Sequence, residues 1–133
     1  MKSILSLRAA MLALASCIVA FQAAKAAPED YEFQLVDSEL KQGDAAVLAV
    51  RLVDKRSGAL VENAVIFATR MDMAPDAMEA MSTTVEAMPS IEPGVYRFTT
   101  NLTMAGGWRF SIAAKVQGEE GTVESRLILK AVP

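Results

Sequence analysis

The stretch that decides the fold runs from Pro93 to Val116 and reads PGVYRFTTNLTMAGGWRFSIAAKV. Pro93-Gly94 is a turn by dipeptide alone. Val95 to Leu102 (VYRFTTNL) alternates apolar and polar residues, the period of a half-buried strand. Ala105-Gly106-Gly107 turns the chain, and Trp108 to Val116 supplies another strand. Nothing in this stretch has helical spacing, so it points to an all-β protein.

The same rhythm continues on both sides. Tyr31 to Val36 (YEFQLV) alternates loosely, Gly43-Asp44 is a turn, and Ala45 to Val53 follows as a strand. Asp54 to Gly58 is a polar loop ending in a glycine suited to positive φ. Asn63 to Arg70 (NAVIFATR) is β-branched and aromatic, the composition of a buried strand. Thr83 to Met88 is again extended in propensity, and Thr122 to Val132 closes the series after a polar, acidic loop at Gln117 to Gly121. The expectation is one domain over residues 27–133, an antiparallel immunoglobulin-like β-sandwich of about seven strands.

Residues 1–26 read as a signal peptide. Lys2 and Arg8 precede an apolar run from Ala9 to Phe21, and Ala24-Lys25-Ala26 has the small-x-small form of a cleavage site. The run is too short for a permanent membrane span of about 20 residues. Cleavage after Ala26 would deliver residues 27–133 to a periplasm with no transmembrane span. An alternative is a lipoprotein anchored at Cys17, since Leu14-Ala15-Ser16-Cys17 resembles a lipobox; the apolar residues after Cys17 argue against it.

Cys17 is the single cysteine, and the chain has no histidine. The expected exported domain therefore lacks disulfides, thiolate chemistry and the commonest general base. No nucleophile elbow, P-loop, dinucleotide fingerprint or zinc-protease motif occurs, and the reading is not an enzyme. All 16 acidic residues follow residue 26, with ten of the 13 basic ones, giving a net charge of −6 over 27–133. Such a balance argues against nucleic acid as a partner and suits a cation.

The run MDMAPDAMEAMSTTVEAM, residues 71–88, interrupts the strands and holds five of the six methionines found after residue 26. Random placement would put about one there, and methionine is otherwise a scattered gap-filler. Met71 and Met73, two apart at a strand end, should share a face. Ala74-Pro75 breaks the strand, and Asp76 is expected to cap a short helical turn through Met81, with Met78 and Met81 on one side of it. Four thioethers so arranged are a soft, uncharged ligand set suited to Cu(I) or Ag(I). Asp72, Asp76 and Glu79 would add a negative field, and Met104 and Trp108 are candidate neighbours, the indole by a cation–π contact. The bland alternative buries these methionines as plain hydrophobes. Met88 and Met104 favour that role, and the arginines at 51, 70, 97 and 109 read as a solvated face.

From Gly43 to Val116 the chain resembles the YtkA-like/FixH-like exported domain family. The resemblance rests on VLAVRLVDKRSGALVENAVIFA, on the segment MDMAPDAMEAM, and on Pro93-Gly94-x-Tyr96 followed by Met104-x-Gly106-x-Trp108. It implies an immunoglobulin-like sandwich on the outer face of the inner membrane or free in the periplasm. It also implies a place in copper handling, heavy-metal efflux or copper delivery to respiratory oxidases. On matching positions Met71, Met73, Met78 and Met81 would face the metal, while Tyr96 and Gly106 would be structural. The chain departs from the pattern in having no histidine among these methionines, which leaves Cu(I) or Ag(I) as the metal. The expected protein is a monomeric metal-binding accessory or metallochaperone whose partner is an exported metal-efflux or oxidase-assembly protein. The competing expectation is a metal-free interaction module whose Met-rich loop is a hydrophobic contact surface.

Overall fold

A computed structural model describes residues 27–133. The signal peptide expected over residues 1–26, and Cys17 within it, lie outside the described residues. After a short 3-10 turn at Pro28–Asp30 come nine strands: β1 (Tyr31–Leu35), β2 (Glu39–Lys41), β3 (Gly43–Asp54), β4 (Ala64–Met73), β5 (Met78–Thr83), β6 (Val85–Met88), β7 (Val95–Leu102), β8 (Gly106–Val116) and β9 (Val123–Val132). They form two sheets, one of four strands in the order β1-β3-β7-β6 and one of five in the order β2-β9-β8-β4-β5.

The alternation expected along β7 and β8 is what builds the core. Phe98, Thr100 and Leu102 of β7 are buried, and Trp108, Phe110, Ile112, Ala114 and Val116 of β8 are buried from the opposite sheet. Phe98 and Phe110 meet across the gap with ring centroids 5.3 Å apart and planes tilted by 55°. Leu48, Val50 and Leu52 of β3 and Phe33 of β1 complete the four-stranded layer. Each such large side chain contributes about 1.5–3 kcal/mol on full burial, and no disulfide among the described residues supplements them.

Two polar ties join the layers. The Tyr96 hydroxyl donates to the Val61 carbonyl at 2.8 Å and accepts from the Ala64 N–H at 3.2 Å, fixing the entry of β4 against β7. Burial raises the Tyr96 pKa, so the phenol stays protonated and able to donate. Farther along β7, the buried Thr100 hydroxyl donates to the Thr84 carbonyl at 2.8 Å. Thr84 is the single residue between β5 and β6, where the chain leaves one sheet and joins the other.

Four expectations need correction. Asn63 to Arg70 is not a buried strand: it has one open face, with Val65 and Phe67 more than half exposed. Nine strands replace about seven, because Glu39–Lys41 and Met78–Thr83 are both strands. The sandwich is not wholly antiparallel, since β2 pairs in parallel with β9. The helical turn through Met81 is absent: a 3-10 turn covers Ala74–Asp76 alone, and Ala77 then takes a left-handed conformation with φ 60°. A left-handed residue ends helical propagation, and the chain re-enters extended structure at Met78.

Candidate functional site

Residues 71–83 of the methionine run occupy one end of the five-stranded sheet, where β4 turns into the edge strand β5, while Val85–Met88 crosses to the four-stranded sheet as β6. The turn is seated by glycines rather than by a cap of its own. The Asp76 carboxylate accepts the Gly107 N–H at 3.1 Å instead of capping a helix. Gly106 has φ +137°, and a Cβ there would overlap the Asp76 carboxylate and press on the Met73 methyl. Glycine is therefore the residue that lets the Ala74–Asp76 turn lie against the start of β8.

Met71 and Met73 share the inward face of β4, as their spacing predicts, and both are fully buried in the core. Met78 is partly buried and packs against the same core. Met73 and Met78 are register partners across β4 and β5, while Met71 is paired with Thr83. The register passes from Asp72↔Ser82 directly to Met73↔Met78, so Glu79 to Met81 form a bulge without register partners on β4, the Glu79 carbonyl accepting from Arg70 Nη2 at 3.0 Å. Met81 lies in that bulge and is 38% exposed. The strand geometry thus grades the four thioethers from core to surface, rather than setting Met78 and Met81 on one helical face.

Of the two neighbours, Met104 lies in the loop between β7 and β8 and is 40% exposed, whereas Trp108 is buried. The Trp108 indole N–H donates to the Met104 carbonyl at 3.0 Å, which ties this loop to the core. The indole face is thus turned into the sandwich and not presented at the surface.

The expected negative field is altered at Asp72. This carboxylate is fully buried and faces away from Met71 and Met73. Its Oδ2 accepts from Arg70 Nε at 2.9 Å and from Arg109 at 3.1 Å, and its Oδ1 accepts the Ala74 N–H at 2.9 Å. Burial pushes the carboxyl up, but the Ala74 N–H and the Arg109 and Arg70 guanidiniums outweigh it and hold Asp72 below its ordinary value of 3.8. The charge of Asp72 is therefore spent on arginines and is not free for a cation. Arg70-x-Asp72 on one strand face was a legible signal for half of this arrangement; Arg109 enters through the register of β4 with β8.

Among the described residues no group of three or more His, Cys, Asp or Glu is placed to hold a metal ion. The donors at this end of the sheet are the thioethers and the Asp76 carboxylate, which already accepts from Gly107. No helix among the described residues is long and apolar enough to cross a membrane.

The two packed sheets define an all-β sandwich with a Met-rich turn closing one end. A family model described as YtkA-like matches residues 25–113, and the chain belongs to that family. No curated protein matches this chain. Similar solved structures include a Lin-41 filamin domain, with 16% identity, 77% of this chain and 92% of that chain covered, and a TM-score of 0.48. The ZirS C-terminal domain has 15% identity, covers 100% of this chain and 84% of that chain, and has a TM-score of 0.45. A conjugative transposon lipoprotein from Bacteroides eggerthii has 10% identity, covers 75% of this chain and 96% of that chain, and has a TM-score of 0.34.

Proposed function

We propose that this protein is a periplasmic, non-enzymatic accessory or metallochaperone that binds Cu(I) or Ag(I) through Met71, Met73, Met78 and Met81. On this reading the sandwich is immunoglobulin-like, a signal peptide over residues 1–26 is removed, and the metal passes to an exported efflux or oxidase-assembly partner. The observation that carries the reading is the cross-strand pairing of Met73 with Met78, with Met71 one step along the same face and Met81 exposed beside it. Membership of the YtkA-like family supports it.

The donor set fits a monovalent soft cation. Thioethers carry no proton to lose and favour Cu(I) and Ag(I) over harder divalent ions. An arriving cation meets Met81 first, then Met78, and reaches Met73 and Met71 only as the β4–β5 end loosens. Anaerobic titration of Cu(I) in competition with bicinchoninate tests the assignment, with sub-micromolar affinity expected. Met→Leu changes at all four positions preserve volume closely, so unaltered affinity in that folded variant would sink it.

The second reading is a metal-free interaction module. It is favoured by the exposure of Met81 and Met104 at one end of a molecule whose Met71 and Met73 are buried. Binding of a partner without metal, and no Cu(I) retention, would decide for it.

A further inference from the structure

The outer face of the five-stranded sheet carries a second feature that the methionines do not use. Arg70 of β4 and Arg126 of β9 are both in register with Ser111 of β8, one from each side. Arg109, two residues before Ser111, points the same way. The three arginines border a shallow pocket of about 310 Å³ with Ser111 and Glu124 on its lining. Directly opposite Arg109 on β9 stands Ile128, which is more than half exposed, as are Val65 and Phe67 farther along the face.

Charge sets this face apart from the rest of the molecule. Strands β4, β8 and β9 turn Arg70, Arg109, Lys115, Arg126 and Lys130 outward, against Asp72 and Glu124. The excess of three positive charges sits on a domain whose net charge over residues 27–133 is −6. Asp72 holds Arg70 and Arg109 in place from beneath. The ion pairs among the described residues do not include Arg126, and the buried Nε of Arg109 has no acceptor.

We propose that this face docks an acidic segment of another exported protein, one carboxylate entering the pocket between Arg70, Arg109 and Arg126 while a neighbouring apolar side chain lies on Ile128. Arg70 and Arg109 are anchored by Asp72, Arg126 carries no ion pair among the described residues, and guanidinium forks match a carboxylate bidentately. Their convergence on one concavity suits a discrete anionic side chain better than a diffuse lipid surface, and the acidic remainder of the domain opposes approach to an anionic bilayer. The docking face does not depend on metal binding: Met71 and Met73 point into the core, whereas Arg70, Arg109 and Arg126 lie on the outer face, Arg70 also donating to the Glu79 carbonyl in the β5 bulge at 3.0 Å.

The test uses a fluorescein-labelled peptide of alternating Asp and Leu, titrated with the protein and read by fluorescence anisotropy. Backbone amide shifts in the ¹⁵N-labelled protein report where it binds. Expected are salt-sensitive binding, shifts centred on Arg70, Ser111 and Arg126, and a loss of tenfold or more in affinity for Arg126→Glu. Arg51→Glu, on the four-stranded sheet, should leave affinity unchanged. Absent binding, shifts centred on the other sheet, or equal affinity in a folded Arg126→Glu variant would overturn the proposal. Binding to phosphatidylglycerol vesicles in preference to the peptide would overturn it in favour of a lipid surface.

Discussion

The two faces of β4 between Arg70 and Met73 are built by opposite chemistries only one residue apart. Inward, Met71 and Met73 are uncharged thioethers buried among Trp108, Phe110 and Leu102. Outward, Asp72 is buried as deeply but is held by two guanidiniums and a backbone N–H. The inner face is held by volume and tolerates any side chain of similar shape. The outer face is held by paired charge, a buried carboxylate shared by two partly exposed guanidiniums. A soft ligand set can persist on the inner face because its members also serve as ordinary hydrophobes.

The largest effect should come from breaking the charged side of that comparison. Asp72→Ala removes the shared acceptor of Arg70, Arg109 and the Ala74 N–H; with the guanidiniums 53% and 24% exposed, the cost is up to about 3 kcal/mol. Urea unfolding measures it. The pH dependence has a definite sign: the Asp72 carboxyl is depressed in the folded state, so its stabilisation is complete above the ordinary value of 3.8 and is lost as pH falls below it. Asp72→Asn should therefore flatten the acid limb of the stability profile, and a steep limb retained in that variant would count against the pairing.

A smaller effect is expected where the two faces meet the turn. Gly106→Ala places a methyl against Asp76 and Met73 in a backbone conformation unfavourable to L-residues, at a cost of about 2 kcal/mol. Because Met73 must shift, Cu(I) affinity should fall along with stability. Loss of stability with unchanged affinity would separate the glycine seat from the thioethers.

The smallest effects fall on the methionines themselves. Met71→Leu should cost less than about 1.5 kcal/mol, and Met81→Leu, at an exposed bulge, close to nothing in stability. In metal affinity the order should reverse, Met81→Leu weakening Cu(I) binding more than Met71→Leu. An equal or opposite order in the same titration would remove Met81 from the ligand set.

Much of the fold was legible because burial alternates locally. The expected strand from Val95 to Leu102 coincides with β7, and those at Trp108 to Val116 and Thr122 to Val132 lie within a residue or two of β8 and β9. What was not legible was fixed by distant partners. Pro75-Asp76 carries a helix-start signal, yet Asp76 is claimed by Gly107, 31 residues away, and Ala77 turns left-handed. β2 is a three-residue edge strand with no alternation long enough to read. At the candidate site, the shared face of Met71 and Met73 followed from spacing alone, while the pairing of Met73 with Met78 depended on a bulge in β5. The clasp of Asp72 by Arg109 likewise depended on register between strands far apart in sequence.

The central claim is that the thioethers act as a ligand set and not merely as filler. Methionine methyl ¹³C–¹H spectra recorded during addition of Ag(I), a redox-inert stand-in for Cu(I), test it residue by residue. The account predicts that the methyls of Met71, Met73, Met78 and Met81 shift together and saturate at one equivalent, while Met88 does not move. Shifts confined to Met88, or no methyl shift at stoichiometric Ag(I), would contradict it.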